Sequence, residues 1–240
     1  MTKIKFGTDG WRAIIAQEFT VENVARVTEA TASWLKKNFD NPSVVLGHDC
    51  RFAGELFAET TAKVLVANGI KVFMSKGFVS TPMVSLGTVR HKASLGIILT
   101  ASHNPPSYNG YKLKGYYGGP LGPEKVQEIE DIIPEKSNTN LNAIDLKSAE
   151  QKGLLEITAL EDMYVKHVEA NFDLAAIKNS GLKFAYDSMY GAGQRVMFRL
   201  FPEIVHLHNE HNPSFHGQAP EPIHKNLTEF SNLIKNRKDI

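Results

Sequence analysis

Ser102 is the side chain in this 240-residue sequence best placed for covalent chemistry. It lies in Thr100-Ala101-Ser102-His103-Asn104-Pro105-Pro106, after the apolar run Leu95-Gly96-Ile97-Ile98-Leu99 and before Tyr108-Asn109-Gly110-Tyr111-Lys112. The apolar run is short and continuous, the pattern of a strand buried on both faces. Residues that follow such a strand reach the carboxyl edge of an open α/β sheet, where ligands bind. Pro105 and Pro106 donate no main-chain hydrogen bond and bias their predecessors away from helix, so the loop is expected to be extended and stiff. A stiff loop can aim a hydroxyl.

A serine hydroxyl is a weak nucleophile unless a base or cation assists it, and His103, Asn104 and Lys112 are close by in sequence. The G-x-S-x-G elbow of serine hydrolases is not matched, because Thr100 and Asn104 stand where glycines belong. A phosphorylated serine accounts better for these neighbours, since its roughly −1.5 to −2 charges call for a metal, Lys or Arg. For the S-H-N-P stretch in isolation, an ordinary polar turn is the simpler account.

A second motif changes that balance: Phe6-Gly7-Thr8-Asp9-Gly10-Trp11-Arg12, near the start of the chain. Together the two segments resemble the α-D-phosphohexomutases, the superfamily of phosphoglucomutases and phosphomannomutases. Further similar text stands at Gly47-His48-Asp49-Cys50-Arg51, at Asp187-Ser188-Met189-Tyr190-Gly191-Ala192-Gly193, and at Pro220-Glu221-Pro222 followed by Asn226-Leu227. The resemblance covers the whole chain. It also implies an N-terminal portion only, because the family's Asp-Gly-Asp-x-Asp-Arg magnesium loop, its sugar-recognition loop and its C-terminal domain are not found in these residues. Thr100-Ala101 leans toward the glucose and mannose branch, while the sugar itself stays open.

The resemblance implies that Ser102 carries the phosphoryl group, giving it to a hexose phosphate and taking one back from a hexose 1,6-bisphosphate. Mg2+ would meet this chain only at the Ser102 phosphate. His103 and Lys112 match positions beside the phosphoserine that can exchange protons with the reacting hydroxyl, with Lys112 the favoured base and acid. Arg12 would hold phosphate with its planar fork and, as a neighbouring cation, ease deprotonation of Lys112. Arg12, Asn104 and Lys112 are the expected substrate-binding residues. Ala13 stands where the family usually has Gly, a change expected to matter little. Asp49 and Arg51 are expected in support, as a local salt bridge or helix cap at the same sheet edge.

Two other features carry less. Gly191-Ala192-Gly193 reads as a tight turn, since no full phosphate-loop pattern is present. His206, His208, His211 and His216 form a cluster in which His206 and His208 would share a strand face, but no Cys or H-E-x-x-H frame completes a zinc site.

The elements that must position these residues alternate between strand and helix, which predicts a three-layer α/β/α domain with a mixed, mostly parallel sheet. Thr20 is expected to cap a helix with the inward stripe Val24, Val27, Thr31, Trp34 and Leu35. Strands are expected at 43–47, 70–74 and 95–100, and helices at 55–68, after Thr81-Pro82, and at 124–133. A hairpin-like excursion is expected around 111–121. The polar stretch 134–152 marks the boundary between a serine-loop domain at 1–150 and a partial second α/β domain at 151–240. In the latter, Leu160, Met163, Tyr164, His167 and Val168 form a helix face, and 182–186 the first clear strand.

Composition narrows the function classes. The 27 basic and 26 acidic residues leave a net charge of +1, so no global field recruits nucleic acid or an anionic membrane. The apolar runs fall far short of the roughly 18 residues a membrane span needs. The single cysteine, Cys50, and an opening without a signal-like apolar core point to a reducing cytosol. With nucleic acid and membrane set aside on charge and hydropathy, the resemblance implies small hexose phosphates as the partners. The competing readings are a serine-dependent phosphatase or hydrolase, with water as acceptor, and a noncatalytic sugar-phosphate-binding protein.

Overall fold

The computed structural model describes residues 3–7 and 10–237, so Thr8 and Asp9 of the opening motif lie outside the described residues. The first half of the chain builds β1 (Trp11–Ile14), α1 (Val21–Asn38), β2 (Ser43–His48), α2 (Gly54–Ala67), β3 (Lys71–Ser75), α3 (Thr81–Arg90), β4 (Leu95–Leu99), β5 (Tyr108–Gly115) and α4 (Pro123–Asp131). The second adds α5 (Leu146–Gln151), β6 (Leu155–Thr158), α6 (Leu160–Asn171), α7 (Leu174–Lys178), β7 (Ala185–Asp187), α8 (Gln194–Leu200), β8 (Val205–Leu207) and α9 (Thr228–Asn236).

Six strands form one sheet in the order β1-β5-β4-β2-β3-β6. The pairs β2–β3, β2–β4 and β3–β6 are parallel, while β5 runs antiparallel to both β1 and β4. The two-residue period of each strand divides its side chains between two helical layers. Val44, Leu46, Val72, Met74, Leu95, Ile97 and Leu99 join Val24, Val27 and Leu35 of α1 and Phe57 and Leu65 of α2 in the larger core. Val45, Phe73 and Ile98 point the other way, into a smaller core with Met83 and Val84 of α3 and Leu160 and Val165 of α6. Burial on both faces explains why these strands read as unbroken apolar runs.

Local sequence sets the helix ends. The Thr20 side chain accepts the Asn23 N–H at 3.2 Å, and Glu22 and Lys36–Lys37 sit at the ends of α1 that favour their charges. All five residues of the expected α1 stripe are buried. Gly69 closes α2 with φ +75°, and Pro82 lies in the first turn of α3. The excursion after Lys112 is a turn closed by Gly115 N–H to Gly119 O at 2.9 Å, which brings Leu121 N–H back to Leu113 O at 3.0 Å.

Two features depart from expectation. β1 is an additional strand, laid along β5 with Trp11 opposite Tyr111 and Arg12 opposite Gly110. β6, which follows the boundary expected at 150/151, extends the first sheet by pairing with β3, and α6 packs on α3. The pairing edge of β3 attracts the next available strand, something local periodicity does not reveal. Beyond α6, β7 and β8 form a separate parallel pair. Among the described residues, no helix is long and apolar enough to cross a membrane.

Candidate active site

The serine loop connects the antiparallel strands β4 and β5 at the carboxyl edge of the parallel strands. Ser102 sits in the left-handed region at φ +57°, exposed to solvent. Its N–H donates to Thr100 Oγ1 at 3.0 Å, and the Thr100 hydroxyl donates to Asp49 Oδ2. Asp49 Oδ1 accepts the Arg51 N–H at 2.9 Å. Gly110 is needed beneath this loop, because a Cβ there would lie 2.5 Å from Thr100 O.

Arg51 organises the rest. Its Nη1 donates to the carbonyls of Pro105 at 2.8 Å and Tyr108 at 3.0 Å, and its Nη2 to those of Ser102 at 2.9 Å and Asn104 at 2.7 Å. The expected salt bridge is present, with Nε 3.4 Å from Asp49 Oδ2, but the fork's larger role is to gather four loop carbonyls. Burial pushes the Asp49 carboxyl up, opposed by the Arg51 charge and the Thr100 hydroxyl. Burial likewise pushes the Arg51 guanidinium down, opposed by Asp49.

The other expected residues converge on this loop. Arg12 Nη1 donates to Asn104 Oδ1 at 2.8 Å, tying β1 to the loop. Arg12 lies opposite Gly110, so Lys112, two residues further along β5, shares its face of the sheet. Lys112 is buried, and Gly10, at φ +123°, lets the opening segment lie against it: a Cβ there would stand 2.8 Å from Lys112 Cγ. His103 Nδ1 is 3.4 Å from Ser102 Oγ. Ala13 faces the larger core rather than the site.

Ser102 and Thr100 line a cleft of about 420 Å3 with Asp49 and Cys50. Its other wall is Asp187, Ser188, Met189, Gly191, Ala192 and Gly193, completed by Phe215, Pro220 and Pro222. Parts of the segments at 47–51, 100–106, 187–193 and 220–222, distant in sequence, thus line one cleft. A second cavity of about 520 Å3, which Asp49 and Cys50 also line, is lined by neither Ser102, Arg12 nor Lys112. Cys50 is no second nucleophile: burial foremost, then the Asp49 charge, push its thiol up to about 12, and it donates to Tyr190 O at 3.0 Å.

Gly191 to Gly193 form the expected turn, directly before α8. His206 and His208 do not share surroundings, because the chain turns left-handed at His208 (φ +49°) just past β8. His206 Nε2 lies 2.8 Å from Phe201 O, whereas His208 sits between Asp187 and Glu229 at 2.8 and 3.2 Å. Among the described residues, no three His, Cys, Asp or Glu side chains are grouped to hold a metal. Asp187 Oδ2 is a buried oxygen without a partner at the cleft, but one carboxylate is too few donors for magnesium. The residues present therefore do not build the Mg2+ site that the resemblance implies.

Sequence reasoning missed Thr100 as a link between Asp49 and Ser102, and it missed Phe215 altogether. A threonine two residues before a left-handed serine is the one local trace of the first.

Residues 3–140 match the model for phosphoglucomutase/phosphomannomutase, alpha/beta/alpha domain I, and residues 162–239 match domain II of the same family. A protein of Methanosphaera stadtmanae named as a probable phosphoglucosamine mutase is 30% identical over 234 residues, covering 96% of this chain and 50% of the relative. A phosphoglucomutase of Staphylococcus haemolyticus is 30% identical over 221 residues, covering 89% of this chain and 39% of the relative. The crystal structure of a Thermus thermophilus protein assigned as a phosphomannomutase superposes with a TM-score of 0.85 at 36% identity, over 99% of this chain and 53% of that one. The chain spans about half the length of the curated relatives it matches. With both domain models matched in order along one chain, it belongs to the phosphoglucomutase/phosphomannomutase family.

Proposed function

We propose that this chain supplies the phosphoryl-carrying half of a phosphohexomutase, which interconverts hexose 1-phosphate and hexose 6-phosphate through a hexose 1,6-bisphosphate. The observation that carries this reading is Ser102, held left-handed by buried partners and presented to the cleft that joins the two parts of the chain. Turnover is assigned to the whole protein, which is about twice as long in the relatives.

In the forward half-reaction, phosphoserine 102 gives its phosphoryl group to a free hydroxyl of the hexose monophosphate. The P–Oγ bond breaks and a P–O bond to the sugar forms; the sugar hydroxyl proton passes to a base, while the leaving Ser102 Oγ takes up a proton and becomes a hydroxyl. After the bisphosphate turns round, the Ser102 hydroxyl attacks the other phosphorus and gives its proton to a base; the P–O bond to the sugar breaks, and the leaving sugar oxygen takes up a proton to become a hydroxyl. Such transfers depend mainly on alignment and charge neutralisation. His103 and Lys112 are assigned the proton transfers, His103 being within 3.4 Å of the serine oxygen. Arg12, oriented by Asn104, is assigned to phosphate, which its fork suits.

The test is conversion of glucose 1-phosphate to glucose 6-phosphate by the whole protein and its Ser102→Ala variant. A loss of more than about 1,000-fold is expected, the scale for removing a covalent nucleophile. Undiminished activity in the variant would overturn the assignment.

A further inference from the structure

The edges of the Arg51 guanidinium are engaged by four loop carbonyls and Asp49, and the side chain is wholly buried. One face is covered by Phe215, whose ring centroid lies 5.0 Å from Arg51 Cζ. Phe215 comes from the other side of the cleft, far along the chain, and is itself only 2% exposed.

The backbone that seats this ring is unusual. Phe215, His216 and Gly217 have φ of +50°, +50° and +79°, a left-handed run that only the glycine adopts freely. Non-glycine residues persist there only when their surroundings over-determine them. Here Phe215 N–H donates to Asn212 O at 3.0 Å and Gly217 N–H to Ser214 O at 2.8 Å. Asn212 Oδ1 takes both the N–H and the hydroxyl of Ser214, at 3.0 and 2.8 Å. The turn is closed by its own hydrogen bonds in the shape that directs the ring at Arg51.

We propose that Phe215 is a positioning residue for Ser102, acting through Arg51, so that the serine loop is fully ordered only while the second part of the chain is seated on the first. This rests on the reading of Ser102 as the phosphoryl carrier. A ring over a desolvated guanidinium attracts it electrostatically and keeps water from its carbonyl bonds, which are stronger in that low-dielectric setting. The Cys50 Sγ bond to Tyr190 O, at the residue beside Arg51, is a second tie across the same seam.

The test uses the whole protein with Phe215→Leu, which keeps an apolar plug but removes the π face, and Phe215→Trp, which keeps the face. Hydrogen exchange of the 101–108 peptide is measured together with the rate of phosphate incorporation at Ser102 from glucose 1,6-bisphosphate. The Leu variant is expected to exchange the loop amides about tenfold faster, and to slow maximal incorporation by a similar factor with half-saturation within about twofold. The Trp variant is expected to restore both. Leu matching the parent in both readouts overturns the proposal. So does faster exchange that spreads equally to α1, which would make Phe215 a general packing residue. If the parent takes no phosphate while Leu still loosens the loop, the reading of Ser102 fails and the coupling through Arg51 stands.

Discussion

Residues 10–171 and residues 172–237 solve the burial problem differently. In the first part, Val44, Leu46, Leu95 and Ile97 are fully buried in a sheet covered by helices on both faces. In the second, Phe172, Leu182 and Phe198 are 59%, 66% and 51% exposed, and the two-stranded sheet has little core of its own. The residues of the proposed chemistry follow this division. Ser102, Arg12, Lys112, Asp49 and Arg51 all come from the deeply buried part, whereas the second contributes the facing wall of the cleft and the Phe215 plug. A group that must align a phosphoryl transfer benefits from the stiffest available support.

If burial is what separates the parts, substitutions should sort by it. Arg51→Ala carries the largest expected effect, a loss of about 3–5 kcal/mol in urea unfolding, because it strands the buried Asp49 carboxylate and frees four carbonyls. Leu46→Ala follows at about 2–5 kcal/mol. Leu182→Ala, the same deletion on the exposed part, should change stability by no more than about 0.5 kcal/mol. Equal losses at Leu46 and Leu182 would break the comparison.

Acid and base should also reach the two parts differently. Glu29 Oε1 on α1 accepts from the Ser137 and Thr139 hydroxyls and the Thr139 N–H, and Oε2 from Asn68. Burial would raise its pKa, but these bonds outweigh it and leave it lowered. The stability they supply is present above the unfolded value of about 4.3 and lost as pH falls through the lower folded value. His208 runs the other way. Burial pulls it down, yet the bonds and charges of Asp187 and Glu229 raise it overall. Its contribution is complete below about pH 6.5 and lost as pH rises through the raised folded value. Protection of the 137–139 amides, taken relative to their intrinsic exchange rates, should therefore fall toward acid, and Glu29→Gln should remove that pH dependence. Protection at the start of α9, taken relative to intrinsic rates, should fall as pH rises above neutrality, and His208→Gln should remove that dependence.

Legibility in the sequence follows the range of the interactions. The serine loop could be read because its determinants are adjacent: an apolar strand, a reactive tetrapeptide and two prolines. The α1 stripe and its Thr20 cap were legible for the same reason. β1 was not, being four residues long with its partner near residue 110. Nor was the place of β6, whose neighbour β3 is chosen by the open edge of the sheet. The Arg51 clasp spans some fifty residues and Phe215 much more, so the sequence suggested a local ion pair for one and nothing for the other. Contacts made between backbone carbonyls and a distant side chain leave no periodic mark.

Phosphopeptide mapping of the whole protein, with and without glucose 1,6-bisphosphate, tests the central claim most directly. The account predicts a single phosphate on Ser102 that is lost when glucose 1-phosphate or 6-phosphate is added. A protein that never carries phosphate at Ser102, or carries it without surrendering it to the sugar, would contradict it.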